Sequence, residues 1–251
     1  MNGVFGLALS HIGALSLLFA ETVKESVRRK PEWRVLFDQL HHLGVRSLAI
    51  ATVTALFTGM VLALQTSYSL AAYGARLFVG DVVALSLVRE LGPVLTSLMV
   101  GGRVGAGITA EIGTMKVTEQ IDAIRAMAAS PVRKLVVPKV IAILIMLPIL
   151  VILADFVGIL GGMVMAVMTL NQPGAFYLQH VTAALSLQDV LSGLGKSVFF
   201  GLFIALIACH NGMRVEGGAD GVGRSTTQTV VASSLCVLIS DFFLTKLFLS
   251  F

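Results

Sequence analysis

The chain has 251 residues, of which 56% are hydrophobic and 13% charged, and its mean hydropathy is +0.91. Because soluble domains carry about 25% charged residues, this shortage of charge excludes a soluble globule and indicates a single membrane domain. The net charge of +4 comes without a basic stripe interleaved with aromatic residues, so nucleic acid is excluded as a partner and anionic lipid headgroups are favoured.

The first segment predicts a helix that lies on the membrane surface. Apolar residues recur at helical spacing within 5–29, and basic residues follow at Lys24, Arg28 and Arg29. A sixth membrane span is the alternative, and it would reverse the polarity of every later loop. We therefore divide the chain into an interfacial helix with its connector, 1–40, and a transmembrane domain, 41–251.

Five later segments are long and apolar enough to cross a bilayer, which takes roughly 20 residues. The predicted spans cover 47–70, 86–110, 136–170, 190–212 and 227–249. The third is too long for one upright helix, because its 35 residues would rise about 50 Å. It must tilt, project or bend, and Pro148 and the glycines at 158–162 are where a bend is expected. A two-helix hairpin is the competing interpretation.

Loop charge chooses between these topologies. Lysines and arginines are concentrated before span one, in the loop before span three and in the loop before span five. By contrast, residues 71–85 hold only Arg76, and 171–189 hold no lysine or arginine. Positive charge favours the cytoplasmic side, and the loops alternate only if the third segment crosses once. The sequence thus predicts an all-α polytopic protein with five transmembrane helices, a cytoplasmic N-terminus and an external C-terminus.

No catalytic motif is visible. The sequence contains no Walker-type phosphate loop, no H-E-x-x-H and no G-x-S-x-G. The glycine-rich stretch 217–223 lacks the lysine of a phosphate loop and predicts a flexible turn followed by an N-cap for span five. Cys209 and Cys236 sit in apolar runs, and the histidines are scattered apart from the pair His41–His42. We predict no catalytic residue, no metal site and no cofactor bound by this chain.

The most informative stretch begins at the outer end of span two with Arg89 and Glu90. Ionisable residues at membrane depth are costly and often functional, which favours a lipid-headgroup or gating role. The alternative is a helix start, with Glu90 near the positive end of the helix dipole and Pro93 in an early turn.

Other residues inside the spans are expected to serve helix packing. The pattern Gly101-x-x-x-Gly105 permits close helix approach, within the chain or at a dimer interface. Asp155, Lys196 and Asp241 are single charges in spans three, four and five. For these we favour buried structural ion pairs over a proton relay, although spacing alone assigns no partner.

Residues 114–131 predict a short amphipathic helix in a cytoplasmic loop. Thr118 is placed as its cap, and Glu119 and Asp122 suit its first turns. Two interpretations stay open: a helix resting on the membrane surface, or a coupling helix that docks into a groove on a cytoplasmic partner. The residues assigned to docking are Glu119, Gln120, Ile121, Asp122, Ile124, Arg125 and Met127.

These stretches resemble the MlaE/YrbE permease family. The matching segments are L-S-L-V-R-E-L-G-P-V-L at 85–95, G-R-V-G-A-G-I-T-A-E-I-G-T-M at 102–115, T-E-Q-I-D-A at 118–123, S-P-V-R-K-L-V-V-P at 130–138 and G-R-S-T-T-Q-T-V-V at 223–231. The resemblance covers nearly the whole chain beyond about residue 40, and the N-terminal segment is the least diagnostic part.

The resemblance implies a permease subunit of an ABC-type phospholipid transporter in the inner membrane of a Gram-negative bacterium. It implies two permease copies with phospholipid between them, and MlaF-like ATPase subunits that bind ATP and Mg. It also implies an MlaB-like STAS protein, an MlaD-like MCE hexamer on the periplasmic face, and a role in outer-membrane lipid asymmetry. The subunit itself has no ATPase site in this family.

Carried onto this sequence, the resemblance also implies a lipid site. Arg89, Glu90 and Leu91 match the family motif near the lipid cavity, and Tyr73 matches a family position. Helix geometry adds Leu62, Leu70 and Val94. The segment from Glu119 to Met127 matches the coupling helix.

Two other classes of function fit the sequence less well. An ion-coupled secondary transporter would use Asp155, Asp241 and Glu90 as relay acids and would carry an inverted repeat, which the sequence does not show. A membrane enzyme acting on lipids needs acids, histidines or nucleophiles clustered at one membrane face, and no such cluster is visible.

Overall fold

The computed structural model describes residues 2–28 and 33–248, with side chains described for 13–27 and 33–248. Every regular element in this described part is helical, which confirms the all-α prediction. The helices are α1 Asn2–Arg28, α2 Trp33–Leu40, α3 Arg46–Ala71, α4 Val79–Ser86, α5 Gly92–Val100, α6 Ala106–Val117, α7 Gln120–Ala126, α8 Val137–Leu170, α9 Gly174–Ala184, α10 Leu187–Met213 and α11 Gly218–Phe248.

Short irregular turns connect several of these helices without ending the helical run. A 3₁₀ turn at Arg76–Phe78 precedes α4. The π-helical turns are His41–Val45, Leu87–Leu91, Gly101–Gly105 and Val132–Val136. Such turns insert one extra residue and often mark functional positions in helices.

Five helical segments of the described chain are long and apolar enough to cross a membrane, as predicted. They are Trp33–Ala71, Arg76–Val117, Val132–Leu170, Leu187–Met213 and Gly218–Phe248. The third contains α8, which is continuous from Val137 to Leu170 with Pro148 inside it, so the hairpin interpretation is wrong. Membrane helices tolerate an internal proline because neighbouring groups satisfy the freed backbone. Helix α1 is not among the five segments.

Two predicted boundaries were wrong. The second helical segment begins at Arg76 rather than near residue 86, so Glu90 and Pro93 lie well inside it and do not start it. Helix α11 begins at Gly218, so most of the expected glycine-rich turn is helical. Of its glycines, Gly217 and Gly218 have positive φ, at 86° and 67°. Hydropathy marks only the apolar part of a helix, which here continues through polar residues.

The chain forms two compact units, and their boundaries fall inside helices. Unit 1 comprises Met1–Val45, Val100–Ile145 and Phe200–Val237. Unit 2 comprises Arg46–Met99, Met146–Phe199 and Leu238–Phe251.

Small residues and hydroxyls hold the core of unit 1 together. A Cβ at Gly101 would press on the Ser233 hydroxyl, and one at Gly105 would meet Thr229. Thr109 Oγ1 lies 2.9 Å from Thr229 Oγ1. Of the two predicted close approaches, the one at Gly101 is present, whereas Gly105 lies at ordinary van der Waals distance from its neighbours. Hydrogen bonds of the kind that membrane helices use join this region to α11 of the same chain.

Unit 1 also contains an ion pair formed by a buried lysine. Lys139 Nζ donates to Glu111 Oε2 at 2.6 Å and to Gln39 Oε1 at 3.3 Å. Lys139 is buried, whereas Glu111 is half-exposed. Glu111 thus has the structural ion-pair role typical of charges within membrane helices.

The core of unit 2 is apolar and tightly packed around α4 and α9. Val79, Val83, Leu87 and Tyr177 belong to one buried cluster. The glycine group at 158–162 lies where α8 meets other helices. A Cβ at Gly161 would overlap α3, one at Gly162 would overlap the Tyr177 hydroxyl, and one at Gly158 would press on Leu87 and α3. These glycines permit close packing along an unbroken helix.

Candidate functional site

The candidate site is built on the π-helical turn Leu87–Leu91 in unit 2, which carries Arg89 and Glu90. Proline has no N–H, so Pro93 cannot donate to the Arg89 carbonyl in the α-helical pattern. Lys196 Nζ on α10 takes that role, donating to the Arg89 carbonyl at 3.1 Å. The motif therefore creates a free acceptor inside a helix, and a buried lysine satisfies it.

Lys196 is the centre of a polar cluster. Its ammonium group also donates to Glu90 Oε2 at 2.6 Å and to Thr245 Oγ1 at 2.7 Å, so its three protons are all used. Asp241 Oδ1 lies 3.3 Å from the same nitrogen. The Lys196 side chain is only 2% exposed. Two of the three single charges of the spans, Lys196 and Asp241, are thus paired as expected.

The third such charge, Asp155, stands apart from this cluster. Its Oδ1 atom is buried and has no hydrogen-bond partner among the described residues. The carboxyl group lies directly against the backbone of Gly92, where any larger side chain would collide with it. Asp155 therefore packs beside the π-helical turn and does not join the Lys196 ion pairs.

Arg89 is held by a different acid. Its Nε atom donates to Asp189 Oδ1 at 2.6 Å, and Nη2 lies 2.5 Å from the same oxygen. Asp189 is itself oriented at the start of α10, where Oδ2 accepts from the Ser186 N–H at 2.8 Å and the Ser186 hydroxyl at 2.7 Å. The Arg89 side chain stays 44% exposed. The guanidinium is thus anchored on one edge and open to a ligand on another.

These groups line an open cavity of about 190 Å³. Its lining residues are Arg89, Glu90, Ser186, Gln188, Asp189, Ser192, Lys196, Thr245 and Phe248. Two cations and two carboxylates line this space, and the half-exposed Arg89 and Glu90 offer it donors and acceptors. Such a lining suits a polar ligand that carries both signs of charge, as a zwitterionic lipid headgroup does.

Close backbone packing brings α10 to this position. A Cβ at Gly193 would overlap the Val88 carbonyl of the π-helical turn and press on the Pro93 ring. Lys196 follows Gly193 by three residues and therefore projects from nearly the same face of α10. Gly193 is thus a packing requirement for the Lys196 contacts.

The structure brings together only part of the predicted lipid site. Arg89 and Glu90 line the cavity, whereas Leu91 lines a separate, narrow apolar crevice. Leu62 and Leu70 pack against the buried cluster of unit 2, and Tyr73 is 84% exposed. Val94 is partly buried and does not line the cavity.

Sequence reasoning did not assign Asp189, Lys196 and Thr245 to the site. Asp189 and Lys196 are 100 and 106 residues from their partners Arg89 and Glu90, so no local spacing connects them. The available signal was chemical, since an ionisable residue at membrane depth predicts a partner at the same depth.

The predicted coupling helix corresponds to α7 in unit 1. Glu119 and Ala128 flank it in left-handed backbone conformations, at φ of 60° and 55°. Thr118 is not its cap, because the Thr118 hydroxyl bonds back to the Thr114 carbonyl at 2.8 Å and Glu119 takes the cap position. These turns separate α7 sharply from α6 and from the segment that follows.

The α7 side chains that are exposed are only partly the ones predicted for docking. Ile121 is 1% exposed and anchors the helix to its own unit. Ile124 is partly buried, and Met127 is 69% exposed. Glu119, Gln120, Asp122 and Arg125 are exposed. The accessible face is therefore mainly polar, with one large apolar group at its end.

An ionic contact links α7 to α6. Lys116 Nζ donates to Asp122 Oδ2 at 2.9 Å, and Arg125 Nη1 donates to Asp122 Oδ1 at 3.1 Å. The Lys116 hydrogen bond, aided by the Arg125 charge, holds the pKa of Asp122 below its usual value. Asp122 is consequently a carboxylate at neutral pH, and it ties the two helices together.

Comparison with known proteins agrees with this architecture. The chain is 43% identical over 237 residues to a probable ABC transporter permease protein of Rickettsia conorii, covering 94% of this chain and 92% of the relative. It is 40% identical over 232 residues to the intermembrane phospholipid transport system permease protein MlaE of Haemophilus influenzae, covering 92% and 88%.

A more distant relative is the Arabidopsis thaliana chloroplastic protein TRIGALACTOSYLDIACYLGLYCEROL 1. It is 34% identical over 235 residues, which cover 94% of this chain and 67% of the relative. The family described as Permease MlaE matches residues 36–247, which include all five membrane-spanning segments except the ends of the first and last. The chain therefore belongs to the MlaE permease family and is a multi-pass ABC transporter permease.

Proposed function

We propose that this permease moves phospholipids between the inner membrane and the periplasmic and outer-membrane side of a Gram-negative bacterium, driven by ATP hydrolysis in a partner subunit. In this role it maintains outer-membrane lipid asymmetry. The observation that carries the proposal is the charged cavity at the π-helical turn, where a half-exposed Arg89 is anchored beside Glu90 and Lys196. The phospholipid-transport name of the Haemophilus influenzae relative supports it.

In the proposed mechanism, Arg89 receives the lipid phosphate. A guanidinium offers paired N–H donors that match phosphate oxygens, and Asp189 occupies only one edge of the Arg89 group. Glu90 keeps a half-exposed carboxylate beside the cavity, where it meets the positive part of a headgroup. Lys196 holds Glu90 in place and is too buried to follow a moving lipid.

We assign lipid contact outside the cavity to the apolar members of the predicted site, Leu62, Leu70, Leu91, Val94 and Tyr73. The exposed Tyr73 suits the membrane interface, because tyrosine has an apolar ring and a polar tip. The functional unit is a homodimer in this proposal, since five spans alone make a poor pathway for a two-tailed lipid.

The proposed assembly contains an MlaF-like ATPase that binds ATP and Mg, an MlaB-like STAS protein and an MlaD-like MCE hexamer. The exposed face of α7, from Glu119 to Met127, contacts the ATPase. In this proposal the same side and the N-terminus face the cytoplasm, which the basic loops around 114–131 and 213–226 support.

Reconstituted lipid transfer tests the proposal. The permease, assembled with its neighbouring subunits in vesicles, is expected to move fluorescent phospholipid only when the ATPase is active. Arg89→Ala should reduce transfer strongly, whereas Arg76→Ala, which removes an exposed arginine outside the cavity, should not. Transfer that continues with a catalytically dead ATPase would refute energy coupling. Equal lipid transfer by Arg89→Ala and Arg76→Ala would refute the assignment of Arg89 to the lipid site.

A further inference from the structure

A second polar cavity lies in unit 1, where α10 ends at Met213 and α11 begins at Gly218. Its volume is about 250 Å³, and its lining includes Asn211, Arg214, Glu216, Arg224, Ser225 and Gln228. None of these residues lines the cavity at the π-helical turn.

In the part of the chain that the structure describes, the two arginines of this cavity have no acidic partner. Among the described residues, neither Arg214 nor Arg224 has a carboxylate within ion-pair distance, whereas Arg89, Lys139 and Lys196 each have one. Arg214 Nη1 lies 3.4 Å from His210 Nε2, and an imidazole carries no negative charge that could offset that of the arginine. Glu216 is the single acid of the lining.

The floor of the cavity is formed by neutral polar groups that hydrogen-bond to one another. Ser225 Oγ donates to the Asn211 carbonyl at 3.1 Å, and Asn211 Nδ2 donates to Thr229 Oγ1 at 2.9 Å. Ser225 is buried, while Arg214, Arg224 and Gln228 are exposed. The two arginines and the glutamine amide thus remain available as donors above a fixed base.

The position of the cavity along the helices also suits a lipid headgroup. It opens at the facing ends of two membrane-spanning segments, Leu187–Met213 and Gly218–Phe248, which is the position of a membrane interface. Its volume is below the roughly 300–1,000 Å³ of pockets for drug-sized ligands, which fits a headgroup. Basic pockets between membrane helices are a recurring site for acidic lipids.

We propose that this cavity binds the phosphate group of an acidic phospholipid through Arg214 and Arg224, with Gln228 as an additional donor. The site is separate from the proposed transport cavity and does not depend on that function. It gives the permease a preference for acidic lipid at the end of α10, where a bound headgroup braces the turn between the last two spans.

The test measures lipid binding by the purified full-length permease in nanodiscs of phosphatidylcholine with or without phosphatidylglycerol. Arg214→Gln and Arg224→Gln are each expected to weaken phosphatidylglycerol binding by about fivefold. Lys134→Gln, an exposed basic residue outside the cavity, is the matched control and should have no effect. Glu216→Gln should strengthen binding, because it removes the single acid of the lining.

Further measurements identify the source of the phosphate. If inorganic phosphate competes with phosphatidylglycerol, the site accepts the same group from solution; if only the lipid binds, membrane attachment is required.

Binding by both arginine variants equal to that of Lys134→Gln would overturn the proposal. If the arginine variants bind lipid normally but no longer bind the ATPase, the proposal is also overturned, because the arginines would then form a protein-docking surface. If an arginine variant fails to fold, unchanged binding by Glu216→Gln decides against the site.

Discussion

Replacing Lys196 with methionine tests the polar cluster most directly, because it removes the charge and keeps a side chain of similar length. The substitution leaves the Arg89 carbonyl without its lysine donor and brings the Glu90 and Asp241 carboxylates together without a cation. Removing one partner of a buried ion pair costs about 3–5 kcal/mol. Glu90 is 39% exposed, so water offsets part of the loss. We expect the free energy of unfolding to fall by about 2–4 kcal/mol.

Denaturant unfolding in detergent measures this change, with Lys134→Met as the exposed control. The double variant Lys196→Met with Glu90→Gln removes opposite charges together, so its cost should be smaller than the sum of the single costs by about 1–2 kcal/mol. Strict additivity would show that Lys196 and Glu90 do not interact energetically. A single Lys196→Met variant within about 0.5 kcal/mol of the wild type would refute the structural importance of the cluster.

Three further predictions concern packing and charge. Gly193→Ala should destabilise the fold by about 1–3 kcal/mol by thermal unfolding, because its Cβ overlaps a backbone carbonyl. Ile121→Ala should cost about 2–4 kcal/mol of folding stability, whereas Met127→Ala should spare stability and lower permease-stimulated ATPase activity; equal melting temperatures for both would contradict this. Since the folded pKa of Asp122 is below 3.8, its contact with Lys116 persists above that value and is lost as pH falls through the lowered pKa. Hydrogen exchange in α7 should report this loss, and Asp122→Asn should abolish the pH response.

Part of the candidate site was predictable from local sequence alone. Arg89 and Glu90 stand out as charges within a strongly apolar segment, and the structure places both at the cavity. Their partners were not predictable, because Asp189 and Lys196 lie on another helix about one hundred residues away. Which faces of two helices meet depends on their rotation and axial register, which local spacing does not specify.

The contacts of the coupling helix were likewise not predictable from local sequence. The amphipathic pattern of residues 118–127 predicts a helix, but it does not say which partner receives the apolar face. Ile121 is buried inside its own unit, so part of the apolar stripe predicted for docking is not accessible to a partner. Residue type predicts burial, whereas the identity of the covering surface depends on the tertiary structure.

The sequence by itself determined that this is an integral membrane protein, that it crosses the membrane five times and that its third segment crosses once. These properties follow from sums over neighbouring residues, since hydropathy and loop charge are local quantities. Tertiary structure alone decided that Lys196 satisfies the Arg89 carbonyl, that Gly193 lets α10 reach the π-helical turn and that Arg214 and Arg224 share a cavity. These contacts arise from close packing of helices distant in sequence, where sub-ångström fit selects among registers that the apolar pattern leaves equivalent.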